Sequence, residues 1–139
     1  MQAQQACIKQ IAAGVAFRDL QALSQSIMID GLRSQNIVDT SASTESLFEA
    51  FYGHGIGHAI GLDVHDPSPR RKDFLLEENM VITVEPGLYL RDCPLLIDKS
   101  FAGIGIRIED NVLVQEKQGK NLTAGVPVDP DIIESLAYE

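Results

Sequence analysis

The side chains best suited to chemistry crowd into one stretch. All three histidines of the 139-residue chain, His54, His58 and His65, fall within residues 54–65. A neutral imidazole can lend a lone pair to a metal or move a proton near neutral pH. His54 and His58 have the i, i+4 spacing of a zinc-binding helix. Gly55 and Gly57 between them disfavour a helix, and no Glu stands at position 55 to act as that motif's base. Glycines at alternate positions instead fit an extended segment that another backbone or a ligand approaches closely.

Two carboxylates further along have unusual surroundings. In Val81-Ile82-Thr83-Val84-Glu85, strand alternation puts Glu85 on one face with Thr83 and Val81, just before the Pro86-Gly87 break. In the run Ile104 to Glu109, Ile104, Ile106 and Ile108 share one face while Arg107 and Glu109 share the other. A partly buried carboxylate needs a partner. A metal ion is one, and an Arg107–Glu109 ion pair is the simpler structural alternative. Taken together, His58, Glu85 and Glu109 offer one imidazole and two carboxylates from three separate segments, a set suited to Zn, Mn, Co or Fe. Three protein donors suffice for one weakly held ion, whereas two ions that share an activated water need more carboxylates. Asp63 and Asp66 lie beside a turn and are not counted as ligands.

These groups must be held by the elements around them. Residues 2 to about 13 read as a helix with Ala6, Ile8, Ile11 and Ala12 on its apolar stripe, ended by Gly14. A second helix runs from a cap at Asp19 to about Ser34 and buries Leu20, Leu23, Ile27 and Leu32. Asp39 to Ser46 reads as a loop, followed by a short apolar patch of Leu47, Phe48, Phe51 and Tyr52. Asp66-Pro67-Ser68-Pro69 marks a turn, and Arg70-Arg71-Lys72 a solvated basic loop. Met80 to Val84 is a strand that resumes at Leu88-Tyr89-Leu90, and Ile104 to Val114 is the clearest strand. A final helix opens at Asp129-Pro130-Asp131, where proline suits the first helical position and the acids suit the helix dipole.

Composition narrows the function. A net charge of −9 leaves no basic stripe for a nucleic acid. No apolar run reaches the ~18 residues of a membrane helix, and Met1 to Gln5 does not read as a secretion signal. Cys7 and Cys93 are far apart and in no metal spacing, so both are expected as free thiols in a reducing compartment, the cytoplasm, with a disulfide between them as the alternative.

Four motifs occur in order: His54-Gly55-Ile56-Gly57-His58, Leu62-Asp63-Val64-His65-Asp66, Val84-Glu85-Pro86-Gly87-Leu88-Tyr89 and Gly103-Ile104-Gly105-Ile106-Arg107-Ile108-Glu109-Asp110. Jointly they resemble the proline-specific metallopeptidases of the pita-bread fold, aminopeptidase P and prolidase, over roughly residues 2 to 138. The resemblance implies an α+β fold with a curved antiparallel sheet backed by helices. It implies a pair of divalent ions, manganese, cobalt or zinc, that activate water for attack on an X-Pro peptide bond. His58 would ligate one ion, Glu85 would ligate it and help handle the proton, and Glu109 would bridge both. His54 and His65 would line the substrate pocket and steady the oxyanion or the proline. Arg107 and Tyr89 would contact substrate or orient ligands, with Arg107 beside Glu109.

The family also has two aspartate ligands before the first helix, and this chain has none there. Residues 1–139 are therefore expected to be the C-terminal portion of the catalytic domain. Such a fragment should bind metal weakly or as a single ion, show little or no activity alone, and self-associate through uncovered apolar surface. The alternative is a non-catalytic homologue serving as a binding or scaffold module. The retained set of His54, His58, His65, Glu85, Arg107 and Glu109 speaks against it.

Overall fold

A long hairpin, interrupted at the same level in both of its arms, forms the spine of the chain. The structure is a computed structural model and describes residues 1–66 and 74–137. In chain order the elements are α1 (Gln2–Gln10), α2 (Phe17–Ser34), α3 (Thr44–Phe51), β1 (Val81–Val84), β2 (Gly87–Tyr89), a 3₁₀ turn (Lys99–Phe101), β3 (Gly105–Arg107), β4 (Asp110–Val114), β5 (Gly119–Asn121) and α4 (Pro130–Ala137). The mix of helices and antiparallel strands is the α+β class expected from the sequence.

Strands β1, β4 and β5 make a three-stranded antiparallel sheet, and β2 with β3 make a two-stranded ribbon. Val84 lies opposite Asp110, and Gly87 lies opposite Arg107. The single strand expected over Ile104 to Val114 is thus two strands in two sheets. The cause is Pro86, which has no N–H to continue the ladder. Across the break only a long contact remains, from the Ile108 N–H to the Pro86 carbonyl at 3.5 Å. Glu85 and Glu109 both stand at this interruption.

The histidine stretch runs extended along the other edge of β1. The Glu85 N–H donates to the Ile56 carbonyl (2.7 Å), the Thr83 N–H to that of His58 (2.8 Å), and the Ile60 N–H to that of Val81 (3.0 Å). Gly57 permits this approach: a Cβ there would lie 2.0 Å from the Thr83 carbonyl oxygen. The close backbone contact expected from the alternate glycines is therefore present at Gly57 but not at Gly55, where a Cβ would meet nothing nearer than 3.6 Å.

Helices α1 and α2 pack on each other, and α1 also lies against the sheet. Cys7, Ile11, Leu20, Ile56, Ile82, Val84, Val112 and Val114 form one buried cluster. Ile29, Leu32, Leu47, Phe51, Leu90 and Leu96 form a second. Each such side chain contributes about 1.5–3 kcal/mol by leaving water, so together they fix the hairpin against the helices.

Several boundaries differ from those read off the sequence. Helix α1 ends at Gln10, not near residue 13. Helix α2 begins at Phe17 with no side-chain cap, so Asp19 sits in its first turn instead of capping it. The apolar patch after the serine-rich loop is helix α3, capped by Ser43, whose hydroxyl accepts the Ser46 N–H. Helix α4 starts as expected, with Asp129 accepting the Asp131 N–H at 3.0 Å. The turn at Pro67 to Pro69 and the cluster Arg70-Arg71-Lys72 lie outside the described residues. Both cysteines are free. Among the described residues no helix is long and apolar enough to cross a membrane.

Candidate metal centre

The interruption of the hairpin brings three sequence-predicted side chains to one point. His58 comes from the extended stretch, Glu85 from the end of β1, and Glu109 from the gap before β4. One ligand atom from each lies within 4.8 Å of the others. The side chains of His58 and Glu85 are only 19% and 12% exposed, while Glu109 is open to solvent.

Hydrogen bonds decide which nitrogen of His58 is available. Its Nδ1 is 3.0 Å from the Ala59 carbonyl oxygen, which can only accept, so Nδ1 carries the proton. Nε2 is left with its lone pair and stands 3.2 Å from Glu85 Oε1. Two electron-rich atoms at that separation need a cation between them, either a proton or a metal. A ligating histidine that gives its other N–H to a backbone carbonyl is the arrangement metal sites favour. The donor set and its tautomer fit a divalent ion of the Zn, Mn or Co kind.

Glu85 has further partners. The Thr83 hydroxyl donates to its Oε1 at 3.0 Å, and Arg107 Nε lies 3.8 Å from its Oε2. The expected pairing of Arg107 with Glu109 is thus replaced, among the described residues, by one with Glu85. Alternation along an unbroken strand would put 107 and 109 side by side. The pairing register nevertheless carries through the break, from Val84 opposite Asp110 to Gly87 opposite Arg107, so Arg107 lies diagonal to Glu85 across the hairpin and pairs with it there.

The other expected site residues form three aromatic contacts beside this group. The His65 ring is exposed and meets the His58 ring edge-on, with centroids 4.5 Å apart. His54 is wedged between Tyr52 and Tyr89, at centroid distances of 4.8 and 5.5 Å. Its Nδ1–H donates to the Gly55 carbonyl at 2.7 Å. Its Nε2 is buried and has no hydrogen-bond partner among the described residues. Gly87 lies under this pair: a Cβ there would be 2.7 Å from the Tyr89 hydroxyl and 3.0 Å from His54 Nε2. Burial, opposed in part by a hydrogen bond with Ser24, pushes the Tyr52 phenol up to about 12, so Tyr52 is a neutral wall for His54.

Some supporting residues carry no recognisable sequence signal. Buried Asp110, next to Glu109, accepts from Gln4 of α1 and from the Thr123 hydroxyl, which ties the gap before β4 to both ends of the chain. The Gln21 carboxamide oxygen accepts the Ile56 N–H at 2.5 Å and fixes the start of the extended stretch. Thr83 was visible as a face-mate of Glu85, but its bonds were not.

Comparison with known proteins identifies the family and the fold. The profile of metallopeptidase family M24 matches residues 1–116. The chain is 38% identical to intermediate cleaving peptidase 55, mitochondrial, of Arabidopsis thaliana, over 98% of its own length and 27% of that protein. It is 37% identical to Xaa-Pro aminopeptidase 1 of Streptomyces coelicolor, over 95% of its length and 28% of that protein. Its fold superposes on E. coli aminopeptidase P, solved zinc-substituted with product and also with the inhibitor Pro-Leu, with TM-scores of 0.85 and 0.84 at 32% identity. That match covers 99% of this chain and 32% of that one. The chain thus spans about a third or less of the length of these relatives.

Proposed function

The chain belongs to metallopeptidase family M24, and we propose that it contributes the imidazole and two carboxylates that hold divalent metal for hydrolysis of X-Pro peptide bonds. The observation that carries this is the convergence of His58, Glu85 and Glu109 on one point. We infer that residues 1–139 correspond to the C-terminal portion of the catalytic domain. The names of the relatives favour removal of an N-terminal residue before proline over splitting of X-Pro dipeptides.

His58 would ligate through Nε2, Glu85 would ligate and exchange a proton, and Glu109 would bridge two ions of manganese, cobalt or zinc. Bound there, the metal supplies Lewis acidity and an activated water. Arg107 balances the charge of Glu85 from its solvent side and can meet a peptide carboxylate. His54 Nε2, unpartnered and flanked by Tyr89, offers a polar contact to the substrate or its oxyanion. His65 is poised at the open edge, where a peptide's proline would enter.

With three of the family's five ligands, this polypeptide alone would hold one ion weakly and turn over little substrate. It would also self-associate. A hollow of about 670 Å³, lined by Met28, Leu88, Leu90, Ile104 and Ile106 among others, leaves Ile104 and Ile106 45% and 60% exposed, and uncovered apolar surface favours burial against a second copy. Two free thiols suit a reducing compartment such as the cytoplasm, although the Arabidopsis relative is named as mitochondrial.

The test is an assay of an X-Pro-Y tripeptide and an X-Pro dipeptide with added manganese, on the chain alone and joined to an upstream segment carrying the family's two aspartates. The joined protein should cleave the tripeptide faster and the chain alone should cleave neither appreciably. A joined, folded protein that takes up metal but cleaves neither would overturn the assignment.

A further inference from the structure

We propose that Thr83 is a positioning residue that sets the ligand geometry of both His58 and Glu85. The inference rests on the metal assignment above and deepens it.

Thr83 lies in the middle of β1 and is 1% exposed. Its backbone N–H donates to the His58 carbonyl at 2.8 Å, and its hydroxyl oxygen accepts the His58 N–H at 2.9 Å. His58 is therefore clasped at both backbone groups by one residue. The hydroxyl proton goes to Glu85 Oε1 at 3.0 Å. With the His58 N–H already aimed at the oxygen, the hydroxyl can satisfy both neighbours only by donating to the carboxylate. That bond holds Oε1 on the His58 side of the carboxylate, 3.2 Å from Nε2, and leaves Oε2 towards Arg107.

The residue type matters as much as the position. Valine has the same shape but would leave the His58 N–H and one Glu85 lone pair without this partner. Serine keeps the hydroxyl but loses the second Cβ substituent that limits χ1. Gly57 lets the two segments come this close, since a Cβ there would lie 2.0 Å from the Thr83 carbonyl oxygen and 2.8 Å from its hydroxyl. One side chain thus sets the distance between ligands that come from different segments.

The experiment is a cobalt(II) titration of the 139-residue chain, read by visible absorption, on wild type, Thr83→Val, Thr83→Ser and Thr83→Ala. Amide hydrogen exchange at His58 is measured in the same proteins without metal. Thr83→Val and Thr83→Ala should weaken cobalt binding about 10–100-fold, alter the absorption band and speed exchange at His58. Thr83→Ser should restore the band and stay within about fivefold of wild type on that scale. If Thr83→Val fails to fold, Thr83→Ala against Thr83→Ser decides the question. Wild-type affinity and an unchanged band in a folded Thr83→Val or Thr83→Ala would overturn the role of Thr83 alone. A wild-type chain that takes up no cobalt would overturn the metal assignment, and this inference with it.

Discussion

His58 Nε2 stands 3.2 Å from Glu85 Oε1, with the imidazole proton held on the far nitrogen by the Ala59 carbonyl. Two facing lone pairs at that separation need a proton or a metal ion between them. Glu85→Gln keeps the shape and removes the charge. It should lower zinc or cobalt affinity by about tenfold or more, measured by competition with a chromophoric chelator. Unchanged affinity would mean that Glu85 is not a ligand.

The approach of the histidine stretch to β1 makes a second expectation. Gly57→Ala would place a methyl 2.0 Å from the Thr83 carbonyl oxygen, which neither backbone can relieve. It should cost about 3 kcal/mol or more. Gly31, in α2, has open space where a Cβ would go. Gly31→Ala should stabilise the chain by about 0.5–1 kcal/mol. Urea unfolding of the two variants beside wild type checks both signs.

These two glycines show where a sequence is legible. The alternate glycines around Ile56 announced a close approach, which Gly57 makes and Gly55 does not. The ligand trio could be read because each member sat in a short motif with strand periodicity around it. The partner of Arg107 could not be read, because Glu85 lies on the facing arm of the hairpin and alternation along one strand does not say which residues face it across the ladder. Nor could the bond from Gln4 to Asp110, which joins the first helix to a distant strand and leaves no local pattern. Helix α3 was hidden because its cap is a serine among other serines and threonines, a composition shared with loops.

Alkaline pH should destabilise the fold in a defined window. Burial pushes the Cys7 thiol up to about 11 and the Tyr52 phenol up to about 12 from ordinary values of 9.0 and 10.0. The folded chain therefore keeps two protons that the unfolded chain releases. Their stabilising effect is complete below about pH 9 and is lost as pH rises through 11 for Cys7 and 12 for Tyr52, on the order of 1 kcal/mol or more for each. Denaturant midpoints from pH 8 to 12 should fall accordingly. Tyr52→Phe should flatten the upper part of that fall, and a parallel decline in both proteins would contradict the assignment.

The uncovered ribbon face gives a stability-neutral handle on assembly. Ile106 is 60% exposed on β3. Ile106→Lys should therefore change folding stability by less than about 0.5 kcal/mol, as for ordinary surface substitutions. It should nevertheless shift the chain towards monomer in sedimentation velocity. The same size distribution for variant and wild type would place any self-association elsewhere.

The central claim is that His58, Glu85 and Glu109 hold a divalent ion, with His58 bound through Nε2. The most direct measurement is nitrogen NMR of the histidine side chains during a zinc titration of the intact chain. The Nε2 resonance of His58 should shift saturably while its Nδ1 stays protonated, and the response should vanish in Glu109→Gln combined with Glu85→Gln. A His58 spectrum indifferent to zinc, or a response that survives loss of both carboxylates, would contradict the account.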